Sequence, residues 1–318
     1  MTAEATIARP DVDPELAAFL GAMPQLPPLS AETLPAFRPF ASAPVEPLLA
    51  GRAVQRRETS VRTGDGHELP ITVISPERGT DAAPAGAVLW LHGGGMVMGD
   101  RFSQLDIPLE WLDALGLVVV TVDYRLAPEA TGALLVEDAF AGLGWLVEHA
   151  VELGVDPDRI IVAGTSAGGG IAAGTVLLAR DRGVRVAAQV LICPMLDHRD
   201  ATVSTRQFAA PAVWSREANA FAWSAVLGAD RSAVSPYVSP AIAAELAGLP
   251  PAFLDAGTAE VFRDEVVDYA SRIWAAGGQA ELHVWAGGFH GFDALVPGAA
   301  LSVSARRARI DWLRRTLG

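Results

Sequence analysis

Arg159-Ile-Ile-Val-Ala-Gly-Thr-Ser-Ala-Gly-Gly-Gly170 begins as a short apolar run, breaks into glycine and continues as small residues to about Arg180. The apolar part has the continuous character of a strand buried on both faces, and the residues after the glycines read as a helix. Between them, Gly164-Thr-Ser166-Ala-Gly168 fits G-x-S-x-G, where a tight strand-to-helix turn leaves no room for side chains beside the serine. Such a turn exposes the Ser166 hydroxyl at the carboxyl end of a sheet. It also aims the first N–H groups of the helix at the hydroxyl, which favours developing negative charge. Ser166 is therefore the candidate nucleophile. The competing reading is a structural or phosphate-binding glycine loop with a bystander serine; the phosphate-binding version needs a lysine, and the chain contains none.

Outward from this turn, strand and helix keep exchanging. Apolar runs at Val88 to Leu91, Leu117 to Val122, Ala187 to Cys193, Ala252 to Asp255 and Ala280 to Trp285 read as strands, and Leu135 to His149 reads as a helix. The alternation predicts an α/β fold, a mostly parallel sheet with helices on both faces. From Asp13 to about Leu49, Ala, Pro and Leu with scattered Phe predict short helices broken by prolines, a candidate lid outside the sheet. The interval between Cys193 and Phe253 is too long for a plain connection and carries Trp214, Phe221 and Trp223 on helical pieces, so it reads as an insertion folding over the sheet. The expected division is a helical cap from residues 1–50 and 195–248, and a catalytic core from 51–194 and 249–318.

A chain of 318 residues that is 51% hydrophobic and 19% charged is globular rather than disordered. Its net charge of −13 repels phosphate backbones and anionic lipid surfaces, so neither nucleic acid nor membrane is an expected partner. The absence of lysine removes Schiff-base chemistry and pyridoxal-phosphate attachment. Cys193 has no partner for an intrachain disulfide, and Val190-Leu-Ile-Cys reads as a buried strand thiol rather than a nucleophile. No basic head precedes an apolar N-terminal core, and no run approaches ~18 apolar residues, so a cytoplasmic address is expected. A small-molecule substrate is the expected partner, with room left for a homodimer.

His92-Gly93-Gly94-Gly95 also follows an apolar strand. Three glycines let the backbone approach a ligand and turn its amides inward, as an oxyanion hole requires. His92 precedes the nucleophile and reads as a residue that fixes the loop. Together with Tyr124-Arg-Leu-Ala-Pro-Glu129, these motifs resemble the bacterial esterases of the hormone-sensitive lipase family, from about Val88 to Phe292. The resemblance implies an eight-stranded α/β-hydrolase core, a cap over the site and activity on carboxylic esters with short acyl chains. It assigns the oxyanion-hole amides to Gly94, Gly95 and Ala167. Thr165 stands where many relatives have Asp, and the segment after Glu129 lacks their His-Pro-rich continuation. Both departures bear on subgroup and substrate rather than on reaction type.

A catalytic base is expected late in the chain. His198 lies in the insertion beside Asp197 and Arg199, where a solvated role is expected, and His283 lies inside a strand facing away from the site. His290, in Gly287-Gly-Phe-His-Gly-Phe292, follows that strand among glycines and is the candidate base, in a setting similar to the family's His-Gly-Phe. The family's Asp-Pro-Leu-Arg-Asp-Glu is matched by Glu260-Val-Phe-Arg-Asp-Glu265, which assigns the acid to Glu260, with Asp255 and Asp264 as competitors. Asp197, His198 and Asp200 lack the further ligands of a metal shell, and no dinucleotide fingerprint is present, so no metal or cofactor is expected. The expected chemistry is ester hydrolysis through an acyl-enzyme. Trp214, Phe221, Trp223 and Met96-Val-Met98 are expected to narrow the pocket toward short acyl chains.

Overall fold

The computed structural model describes residues 7–42, 44–79, 83–209, 212–228, 231 and 233–318. Three short helices come first: α1 (Pro14–Ala22), α2 (Leu34–Phe37) and α3 (Glu46–Leu49). Proline occupies the first turn of each, where its missing N–H costs nothing, and the Asp13 side chain caps α1 by accepting from Glu15 N. Strands β1 (Val54–Arg62) and β2 (Glu68–Pro76) form an antiparallel hairpin, followed by β3 (Ala85–Leu91), α4 (Asp106–Leu115), β4 (Val118–Val122) and α5 (Leu134–His149). Then come β5 (Val155–Thr165), α6 (Ala167–Asp181) and β6 (Ala188–Ile192). The insertion holds α7 (Val203–Gln207) and α8 (Arg216–Leu227). The chain closes with β7 (Ala252–Ala259), α9 (Arg263–Ala275), β8 (Ala280–Phe289), α10 (Phe292–Leu295) and α11 (Ala300–Leu317).

The eight strands form one sheet in the order β1-β2-β4-β3-β5-β6-β7-β8. β2 pairs antiparallel with β1 and β4, and the remaining pairings are parallel. Alternation along the strands divides the core into two layers. Leu89, Val120, Val162, Leu191 and Leu254 pack under α5, α6 and α9. Val88, Trp90, Val119, Ile161, Val190 and Phe253 face the opposite layer, with Trp111 of α4 and Trp312 of α11. Trp90 and Trp111 meet edge to face at 5.9 Å between centroids, a favoured aromatic geometry. Burial on both faces is why these central strands read as unbroken apolar runs.

The first strand of the hairpin was not legible in the sequence, whereas β2 is largely buried and was missed despite its apolar Ile71 to Ile74. Val54-Gln-Arg-Arg-Glu-Thr-Ser-Val-Arg62 is mostly exposed on both faces, because β1 is the edge of the sheet, so no apolar run marks it. The strand before His290 also runs further than its apolar part, to Phe289. Cys193 is buried, but it is the first residue beyond β6 rather than part of it.

Candidate active site

Ser166 occupies the turn between β5 and α6 with φ 55°, a left-handed conformation that a side chain adopts only at a cost. The surroundings hold it there: Ser166 N–H donates to Ile192 O at 2.8 Å, and its carbonyl accepts from Met195 N at 2.9 Å and Gly170 N at 3.1 Å. A Cβ at Gly168 would stand 2.0 Å from the Leu91 carbonyl oxygen, so only glycine lets α6 start this close to β3. The result is a hydroxyl at the first turn of a helix, at the carboxyl end of a parallel sheet.

His290 follows directly on β8, and its Nε2 lies 2.9 Å from Ser166 Oγ. Its Nδ1 lies 2.5 Å from Glu260 Oε2, one residue past β7. The two strand ends come together because β7 and β8 close tightly at Gly257 and Gly288. A Cβ on Gly257 would be 1.9 Å from Gly288 O. The pairing register shifts at this point, between Gly257 and Ala259. Glu260 is fully buried and is anchored a second time, Oε1 accepting from Gly257 N at 2.8 Å. Phe262 stands edge-on to His290 at 5.1 Å. Burial opposes protonation of the imidazole, whereas Cys193 and Glu260 favour it, and the balance lies above the ordinary value. Burial also pushes the Cys193 thiol up.

The glycine loop after β3 faces the same point. Gly94 and Gly95 have φ of 112° and 64°, and Gly93 N–H is held by Gln104 Oε1 at 2.9 Å. Among the described residues, no main-chain carbonyl takes up the N–H of Gly94, Gly95 or Ala167. His92 is buried under the loop, kept neutral by burial, with Nδ1 2.7 Å from Gly93 O and its ring stacked on Tyr124 at 4.2 Å. Tyr124 donates to His92 O at 2.7 Å. The next residues of that motif serve as anchors. Arg125 binds the buried Asp138 through Nε at 2.8 Å and Nη2 at 2.7 Å, and Glu129 pairs with Arg38. Arg38 Nε also donates to Val97 O at 2.9 Å, tying the N-terminal region to the glycine loop.

Trp214 of the insertion packs against Gly95 and lies 6.5 Å from the His290 ring. Ser166 and His290 are themselves nearly covered. Phe221 is half-buried, packed against the core with Trp214, whereas Trp223 is fully buried and turned toward His198.

The competing residues have other partners. Asp255 is bound by Arg309 and by Trp285 Nε1, and its burial raises its pKa against the opposing pull of Arg309. Asp264 accepts from Ser204 N and Arg263, and Glu265 is buried beneath the Leu196 and Asp197 amides. His283 is stacked between Phe253 and Trp285. His198 is not the solvated residue its neighbours suggest: it is half-buried, its Nδ1 2.9 Å from Ser239 Oγ. Asp197 pairs with Arg199, and Asp200 with Arg216 and Asn219, so this trio does not converge on one point. Among the described residues, the donor atoms that do converge, within 4.8 Å, are those of Cys193, Glu260 and His290. Two of these already bond to each other. Cys193 thus belongs to the surroundings of the site, which its apolar sequence context gave no reason to suspect.

Comparison with known proteins places the chain among the α/β hydrolases. The model of a family described by the alpha/beta hydrolase fold matches residues 88–294. The chain is 34% identical to carboxylesterase NlhH of Mycobacterium tuberculosis over 93% of its own length and 94% of the relative's. It is 31% identical to ethyl acetate hydrolase of Pseudomonas putida, covering 88% and 92% of the two chains. Among solved structures it is similar to a bacterial heroin esterase, with a TM-score of 0.89 and 40% identity over 96% of this chain and 98% of that one.

Proposed function

Because the chain belongs to the α/β-hydrolase fold family, among the esterases related to hormone-sensitive lipase, we propose that it hydrolyses carboxylic esters with Ser166, His290 and Glu260 as its catalytic residues. That it is a carboxylesterase follows from its kinship; the assignment of roles is our reading. The observation that carries it is the continuous chain of contacts from Ser166 Oγ through the His290 ring to Glu260. His290 Nε2 takes the hydroxyl proton as Ser166 attacks the ester carbonyl, and Glu260 holds the ring and stabilises the imidazolium. The amides of Gly94, Gly95 and Ala167 receive the oxyanion. The imidazolium then protonates the departing alcohol. Water, deprotonated by the same His290, releases the acid from Ser166 and restores the enzyme.

In this reading the described residues within 1–50 and 195–248 form the cap, residues 1–6 lying outside the described residues, and the substrate is a short-chain ester in a cytoplasmic setting. Trp214, over Gly95 and beside His290, supports the length preference, since an acyl chain leaving the oxyanion loop meets its ring early. The decisive test is covalent labelling with a fluorophosphonate, coupled to turnover of p-nitrophenyl butyrate. Ser166→Ala should abolish labelling and lower kcat by several orders of magnitude in a folded protein. Turnover within about tenfold of wild type would sink the mechanism.

A further inference from the structure

We propose that Arg309 is a positioning residue for ester hydrolysis: from α11 it clamps Asp255 and Asp293 and so fixes the two chain segments that carry Glu260 and His290. The proposal rests on the assignment of those two residues above. Arg309 is 1% exposed, in a helix whose sequence, Ala300-Leu-Ser-Val-Ser-Ala-Arg-Arg-Ala-Arg-Ile-Asp-Trp-Leu-Arg-Arg-Thr-Leu317, reads as a charged surface element. Its Nε and Nη2 donate to Asp255 Oδ2 at 2.9 and 2.7 Å, and its Nη1 donates to Asp293 Oδ2. Asp255 lies on β7, five residues before Glu260; Asp293 lies on α10, three residues after His290. One planar cation therefore spans both arms of the site.

Further contacts extend the clamp. Asp255 Oδ2 also accepts from Trp285 Nε1 at 3.0 Å, on β8, the strand that His290 follows. Its carbonyl accepts from Cys193 N at 2.7 Å and holds that residue at φ 37° beside the His290 ring. Arg306, one turn earlier on α11, donates to the Asp293 carbonyl at 2.9 Å while pairing with Asp106 and Glu110 of α4. An apolar cluster of equal volume would fasten the helix to the sheet as well. What the guanidinium adds is direction, because its donors leave in one plane at set angles and hold two carboxylates from separate elements at one separation. Arg309 holds the buried Asp293 carboxyl below its usual range and opposes the upward push of burial on Asp255.

The experiment compares Arg309→Lys with the charge-neutral triple variant Arg309→Met, Asp255→Asn, Asp293→Asn. Arg309→Lys keeps the charge but cannot serve both carboxylates in one plane. The triple variant leaves no buried charge without a partner. Folding is followed by circular dichroism, turnover with p-nitrophenyl acetate and the state of Ser166 by its rate of fluorophosphonate labelling. The expected result is a fall in kcat of about tenfold or more with KM within about threefold, and a labelling rate that falls in step with kcat. Wild-type kcat and labelling rate in either variant, whatever its melting temperature, would reduce the cluster to a structural one and overturn the proposal. If the triple variant does not fold, Arg309→Lys decides alone. Wild-type enzyme that resists the label would count against the Ser166 assignment instead.

Discussion

Glu260 reaches His290 Nδ1 with one carboxylate oxygen at 2.5 Å while the other accepts the Gly257 amide at 2.8 Å. A glutamate succeeds here because it spans from one strand end to the other with both oxygens engaged. Glu260→Gln presents the imidazole with a neutral group and loses the charge that stabilises the imidazolium, so kcat should fall about 10²- to 10⁴-fold. Glu260→Asp, one methylene shorter, can keep one hold and not both, and should fall between the two enzymes. Asp264→Asn, whose carboxylate serves Ser204 and Arg263, should stay within about threefold in kcat. Steady-state kinetics on active-site-titrated enzyme checks all three. A dead Asp264→Asn beside an active Glu260→Gln would move the acid.

The raised pKa of His290 has a sign in the rate profile. Only the neutral ring can take the Ser166 proton, so activity grows as pH rises through the pKa of the free enzyme. Because Cys193 and Glu260 together hold that pKa above the ordinary value against burial, the acid limb of kcat/KM should have its midpoint above about 6.5. In Glu260→Gln the residual activity should show the limb displaced toward acid. An unmoved limb in that variant would separate the group that titrates from the Glu260 charge.

Trp214 covers Gly95, whose added Cβ would lie 2.3 Å from the indole. Trp214→Ala should open this wall and raise kcat/KM for octanoate and decanoate p-nitrophenyl esters by about tenfold or more, with little change for acetate. Equal effects on every chain length would place the Trp214 contribution elsewhere. Gly95→Ala should instead depress all substrates together, in kcat more than in KM, by about 10²-fold through the displaced oxyanion amide.

Arg125 is the partner of Asp138, whose side chain has no exposed surface. Arg125→Met leaves that carboxylate buried without its cation, a change that costs about 3 to 5 kcal/mol. The urea midpoint should drop accordingly, while kcat per titrated Ser166 changes by less than about threefold. A variant as stable as wild type would mean that Asp138 finds another partner.

The parts of this molecule that could be read from sequence are those governed by backbone geometry within a few residues. The Ser166 turn, the His92 to Gly95 loop and the His290 segment are marked by glycines, several of them where an added Cβ would strike neighbouring backbone, whereas Glu260 came only from the resemblance of Glu260-Val-Phe-Arg-Asp-Glu265 to a family phrase. The central strands were legible because both of their faces are buried. What could not be read depends on which distant segments meet. Arg306 and Arg309 lie on a helix that looks solvated, yet they are buried by α4, α10 and β7. Cys193 looks like any core thiol until β7 brings Glu260 beside it. The edge strand β1 hides for the opposite reason, since a strand with little to bury carries little pattern.

The first helix is fastened to the far end of the chain. Asp13 N donates to Gly287 O at 3.0 Å, Phe19 stacks on Phe289 at 6.0 Å and Glu15 accepts from Ala300 N, 285 positions away. On a ribosome adding about 5 to 20 residues per second, α1 therefore emerges roughly 15 to 60 seconds before its partners are synthesised. Through that interval Leu16 and Phe19 lack Phe289, Phe292, Ala299 and Ala305, the C-terminal side chains of their cluster. The site would be completed only once β8, α10 and α11 have cleared the exit tunnel. Chains stalled with α11 still inside it should already contain Ser166 and yet take up no fluorophosphonate.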